Sequence, residues 1–181
     1  MLPPLSAITA LQATVPNLLV KAAPGINHAD IPPDAEVEFV SLYGELKEAL
    51  LRFGGLRQGF ARCATLLPSG AQLTAETEID PELSVGEAKG YLYEPDTAII
   101  RAQLVRPLGE KLNASMLNPD IAYLTADSAM ETPFARCWEV LKQDNFHLKT
   151  LNRWLRELEA GEVVIKKRGS PIDPDTFRKR F

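Results

Sequence analysis

The residues best suited to chemistry are basic and lie near the end of the chain. Lys166-Lys167-Arg168 is one run of cations and Arg178-Lys179-Arg180 another. With Asp173 and Asp175 as the acids, the last 19 residues hold six bases against two, a net of +4, while the whole chain stands at −4. Cations gathered on a strand end and a turn neutralise phosphates. Lys166, Lys167 and Arg168 are therefore the candidate nucleic-acid contacts, with a plain solvated face as the alternative. Trp138 and Trp154 carry rings that stack on bases, but Trp154 falls within a leucine stripe and reads as core. Lys21 ends an apolar run just before Pro24-Gly25. Ligands of open α/β sheets gather outside the carboxyl ends of strands, so Lys21 either faces a pocket or, more ordinarily, snorkels to the sheet edge.

Other chemistry has no support. The sequence contains no G-x-G-x-x-G, no phosphate-loop motif and no G-x-S-x-G elbow. Gly54-Gly55 and Gly59 do not make a phosphate cradle after a strand. His28 and His147 have no Cys or carboxylate at metal-ligand spacing, and Cys63 and Cys137 are too far apart for a CxxC site. No catalytic, cofactor-binding or metal-binding residue is assigned on these patterns.

The elements that must position the basic run fall into two units. Over residues 1–75, Leu5, Ile8, Leu11 and Val15 recur at helical spacing until Pro16. Asn17 to Ala23 reads as a strand buried on both faces of a parallel sheet, and Glu36 to Ser41 as a second strand. Leu46, Ala49, Leu50 and Phe53 predict a helix, with Glu48 and Arg52 paired on its outer face and Gly54-Gly55 at its end. Arg62 to Leu67 and Ala71 to Thr74 are strands, so an α/β layer structure is expected. Residues 76–90 hold five acids against Lys89 alone and read as a solvated linker. Residues 91–181 read as α+β. A strand at Tyr91 to Tyr93 leads to Asp96 as a helix N-cap. The Ile100, Leu104, Leu108, Leu112 stripe breaks before Pro107. Strands follow at Ala122 to Thr125 and around Cys137 to Leu141, then a helix from His147 closed by Gly161. Glu162 to Lys166 is expected as a strand, Lys167 to Pro171 as a turn, and a short helix from Asp173 or Pro174 to Phe181.

Composition excludes further classes. With 45% apolar and 24% charged residues the chain has an ordinary soluble composition. No stretch approaches the ~20 apolar residues of a membrane span, no secretory signal is visible at Met1, and two cysteines make no disulfide framework. A cytoplasmic location is the expectation, which makes the Asn113-Ala114-Ser115 sequon a chance match.

Several segments together resemble one family. Gly90-Tyr91-Leu92-Tyr93-Glu94-Pro95-Asp96, Ile121 to Asp127, Thr132 to Arg136 and Ile165 to Gly169 are similar in order and spacing to a THUMP-like domain. This domain ends a bacterial group of class I S-adenosylmethionine-dependent methyltransferases. Pro3 to Ser6, Val20 to Ile26, Glu38 to Ser41 and Glu45 to Ala49 resemble the second half of the methyltransferase fold in the same proteins. The resemblance implies a fold class: the C-terminal half of a Rossmann-like α/β sheet (1–75), an acidic linker (76–90) and a small α+β THUMP-like domain (91–181). It also implies methyl transfer to a nucleic acid, with RNA as the expected substrate. S-adenosylmethionine is expected to bind a glycine-rich half that this chain lacks, so the chain alone is expected to be inactive and to bind no cofactor. Leu2-Pro3-Pro4-Leu5 lacks the Asn or Asp that the [ND]-P-P-[YF] loop of amino-group methyltransferases uses, and reads as a helix entry. Strands left unpaired at the missing half predict self-association or a partner carrying that half. The alternative is a non-catalytic RNA-binding or structural partner module.

Overall fold

The computed structural model describes residues 5–167, 173, 176 and 177. Leu2 to Pro4, Arg168, the rest of the expected 167–171 turn and most of the expected terminal helix lie outside the described residues. Two antiparallel-rich sheets share one core. The first contains β1 (Leu19–Ala22), β2 (Glu36–Leu42), β3 (Glu45–Arg52), β4 (Arg62–Leu67) and β5 (Ala71–Ala75), in the order β1-β3-β2-β4-β5. Among its described strands only β2 and β4 are parallel neighbours. The second contains β6 (Tyr91–Pro95), β7 (Ser115–Asn118), β8 (Ile121–Ala126) and β9 (Ala135–Glu139), in the order β7-β8-β6-β9.

Two expectations for the first sheet are corrected. Glu45–Arg52 is a strand, not a helix. Its helix-forming composition is overridden by position: β3 lies between β1 and β2, hydrogen-bonding to both, and alternate residues Ala49 and Leu51 are fully buried. The two-residue turn Tyr43-Gly44 forces the chain straight back, with φ of 53° and 84°. Glu48 and Arg52 consequently do not pair with each other; Glu48 meets Lys21, and Arg52 meets Glu38. Nor is β1 a doubly buried parallel strand. It is an edge strand with β3 as its antiparallel neighbour, and Leu19 remains 54% exposed. The apolar run predicted burial correctly only on the side that holds Ala22.

The preceding helix α1 (Leu5–Gln12) ends ahead of Pro16 as its stripe predicts, with Ile8 buried. The second unit follows its expected pattern as far as α4, with the addition of β7, which the sequence patterns do not single out. Asp96 accepts a hydrogen bond from the Ala98 amide at 2.8 Å and caps α2 (Thr97–Arg101). The stripe breaks at Gln103, where φ is 57°, before α3 (Val105–Lys111). Ala98, Ile99 and Ala102 join the same core as Phe39, Leu51 and Ala64 of the first sheet and Tyr93 and Leu124 of the second. α4 (Leu148–Glu157) starts at His147 as expected, but its chain reversal falls on Glu159, with φ 51°, rather than on Gly161. Glu162 to Lys166 is not a strand: no neighbouring strand takes its hydrogen bonds among the described residues, and Val164 stands in solvent. Of the expected terminal helix, Thr176 and Phe177 are described as helical, and the buried Phe177 packs edge-on against Phe146.

Residues 76–90 are mostly exposed yet strapped to the body, which corrects the reading of a wholly solvated segment. The cause is Arg62, a buried cation. It donates to the carbonyls of Gln103 (2.7 Å) and Thr77 (3.2 Å) and pairs with Asp80 at 2.7 Å. Farther along, Met116 exchanges backbone hydrogen bonds with Ser84 and Gly86, and the Lys89 amide donates to the Thr125 hydroxyl.

Candidate nucleic-acid interface

Strand register sets the geometry of the candidate surface. Opposite residues on neighbouring strands share a face. Glu94 lies opposite Arg136 and Leu92 opposite Trp138 in the β6–β9 pair, so all four side chains stand on one side. The irregular segment after α4 lies across that side. Lys166 Nζ pairs with the Glu94 carboxylate and sits 4.9 Å from the centre of the Trp138 ring. Tyr123 also donates its hydroxyl to Glu94 at 3.4 Å. Lys166 is thus a cation held between a carboxylate and an aromatic face, a pairing that stabilises its position and neutralises Glu94. Lys167 follows on the surface. The Asp173 carboxyl is held below its ordinary range chiefly by the Thr176 side chain, with Lys167 adding to the effect. Arg168 lies outside the described residues.

The other sequence candidates are placed apart from this surface. Lys21 forms an ion pair with Glu48 at 2.6 Å on the sheet edge. Trp154 is half-buried, with Lys142 5.9 Å from its ring centre, and no residue of α4 is fully buried. The two histidines do not meet a metal-ligand cluster; among the described residues no three His, Cys, Asp or Glu side chains gather.

Residues that patterns did not single out hold the site in place. Arg136 lines a cavity of about 290 Å³ with Gly44, Glu94, Asp96 and Thr97, where the first sheet's hairpin meets the second sheet. Thr97 donates its hydroxyl to the Gly44 carbonyl at 2.9 Å and fixes that junction. Arg101 ties α2 to the loop after β1: its guanidinium donates to the carbonyls of Pro24 and Ile26 and stacks 5.2 Å from the Phe39 ring centre. His28 contacts the Arg101 carbonyl at 3.0 Å. Burial, and then the Arg101 charge, hold the His28 pKa below its ordinary value of 6.5. A long-range pairing of this kind leaves no mark in local sequence spacing.

The loops at the carboxyl ends of β1, β2 and β4 do not fit S-adenosylmethionine. Pro24 and Ile26 are engaged by Arg101, Tyr43-Gly44 is a hairpin turn, and Pro68-Ser69-Gly70 leads into β5. None is a glycine-rich strand-to-helix loop with an acidic ribose partner.

Comparison with known proteins places the chain in a methyltransferase context. A family described as THUMP domain-like matches residues 135–181. Two uncharacterized S-adenosylmethionine-dependent methyltransferases of Mycobacterium tuberculosis, from strains CDC 1551 / Oshkosh and ATCC 25618 / H37Rv, are each 37% identical over 169 residues. That alignment takes in 91% of this chain and 46% of each relative, so the chain spans about half their length. A crystal structure from Porphyromonas gingivalis W83, provisionally assigned as a methyltransferase, superposes with a TM-score of 0.75 at 21% identity, over 94% of this chain and 47% of its own. The chain therefore resembles S-adenosylmethionine-dependent methyltransferases with a THUMP-like domain, in a mixed α/β fold. Among the described residues no helix is long and apolar enough to cross a membrane.

Proposed function

We propose that this chain is the C-terminal part of an S-adenosylmethionine-dependent methyltransferase that acts on RNA, in which it completes the sheet and holds the substrate. The observation that carries the methyltransferase part of this reading is the 37% identity to curated methyltransferases across 91% of the chain. The remaining half of the enzyme supplies the donor pocket. Its last strand adds to the outer edge of β1, where no strand lies among the described residues. Methyl transfer requires the donor and the accepting atom to be held in line, and positioning provides much of the rate. This chain contributes the holding of the acceptor.

The β9 face supports contact with RNA, because the exposed Arg136 stands beside Trp138 there while Lys166 offsets the Glu94 charge. Lys166, Lys167 and Arg168 act together as the cationic contacts, in a cytoplasmic protein. Salt-dependent binding to structured RNA tests the reading. The Lys166→Ala/Lys167→Ala/Arg168→Ala variant is expected to bind more weakly, with a shallower dependence on salt than the parent. Absence of binding by the parent at low salt refutes the RNA assignment.

A further inference from the structure

We propose that Tyr43 and Arg136 form a subsite for one unpaired nucleotide of the substrate, at the cavity where the two sheets meet. The inference rests on the RNA reading above and assigns it to residues outside the basic run. Its first observation is a bulky side chain at a turn position that disfavours it. Tyr43 occupies the first position of the two-residue turn between β2 and β3, with φ at 53° and Gly44 following at 84°. Both central positions of such a turn need positive φ, and asparagine followed by glycine satisfies this most readily. A tyrosine there is sterically disfavoured. Packing does not explain it, since Tyr43 is 76% exposed. Strain retained at an exposed aromatic ring points to use of the ring.

The second observation is independent. The Arg136 guanidinium has no hydrogen bond or ion pair with any described residue, although it lines a cavity with the carboxylates of Glu94 and Asp96 in its wall. Those acids are already engaged: Glu94 pairs with Lys166 and accepts from Tyr123, and Asp96 caps α2. Arg136 approaches the turn itself, for a Cβ built on Gly44 would stand 3.6 Å from its Nη2. A planar cation with its donors unspent, against the turn residue that follows an exposed ring, suits a nucleotide phosphate bound beside a stacked base. The cavity, about 290 Å³, is at the small end of ligand pockets and matches a single nucleoside better than a duplex.

The probe is a fluorescently labelled, mixed-sequence single-stranded RNA, titrated by anisotropy with the full chain over a salt series. Thermal melting of each variant is recorded in parallel. Tyr43→Asn is expected to weaken binding about tenfold, the loss of one stacked base, while melting at the same temperature or higher because asparagine relieves the turn. Tyr43→Phe keeps the ring and the parent's affinity. Arg136→Gln is expected to weaken binding and reduce the salt slope by about 0.7, one phosphate contact. A turn residue with a purely structural role cannot give greater stability together with weaker binding. If the parent binds this RNA and both Tyr43→Asn and Arg136→Gln match it, the subsite is overturned and the RNA reading stands. If the parent fails to bind any RNA at low salt, the RNA reading falls and the subsite with it.

Discussion

Cys63 and Cys137 occupy opposite environments. Cys63 is buried in β4, where desolvation first and the Glu38 charge second push its thiol up to about 12, while Cys137 is exposed on β9. The thiolate is the reactive form. At neutral pH a thiol reagent is expected to modify one cysteine per folded chain, at Cys137, and two after denaturation; fast modification of Cys63 in the native protein would contradict the packing around β4. His28 has the opposite linkage. Its pKa is lowered on folding, so between that lowered value and 6.5 the unfolded chain binds the proton more readily. Stability therefore rises with pH through that range and levels off above it. Denaturant titrations at pH 7.5 and 5.5 are expected to differ less for His28→Phe than for the parent; an unchanged difference would show that His28 is not the group responsible. Glu36 is legible in neither spacing nor composition, yet its buried carboxylate accepts from the amides of Gln58, Gly59 and Phe60. Glu36→Ala leaves these donors unmet and is expected to cost about 3 kcal/mol in a denaturant titration. Residues such as this and Arg62 were hidden because their partners are distant in sequence.

At the scale of elements, local patterns succeeded where one face or one cap decides the structure. The Asp96 cap, the break near Gln103 and the α4 stripe depend on neighbours within a turn or two, and each was readable. The Glu45–Arg52 segment was not, since its residues favour a helix and only the sheet around it imposes a strand. The same limitation hid the edge position of β1, because an apolar run does not reveal how many of its sides are paired. Edge strands with exposed apolar side chains recruit other strands. Leu19→Lys is therefore expected to reduce self-association of the chain, seen by light scattering across a concentration series, with little change in melting temperature. If the parent is monomeric throughout, β1 does not associate in this way.

For the whole molecule, layer composition and the THUMP-like C-terminal region were readable from ordered motifs, and comparison supports both. The shared core was less legible. Arg62 and Arg101 bind the acidic segment and α2 to the first sheet, so the two units are joined more closely than composition implied. The candidate site was readable at Lys166, whereas Gly44 and Arg136 come together only when the hairpin and β9 are folded against one another. The central claim is that this chain supplies the substrate-holding part of a methyltransferase whose donor pocket lies elsewhere. It is tested most directly by replacing the matching region of one mycobacterial relative with this chain and measuring transfer of labelled methyl from S-adenosylmethionine to RNA. The account predicts labelled RNA from the hybrid and none from this chain alone. A folded hybrid that binds S-adenosylmethionine but leaves every RNA unlabelled, or labelling by this chain alone, would contradict it.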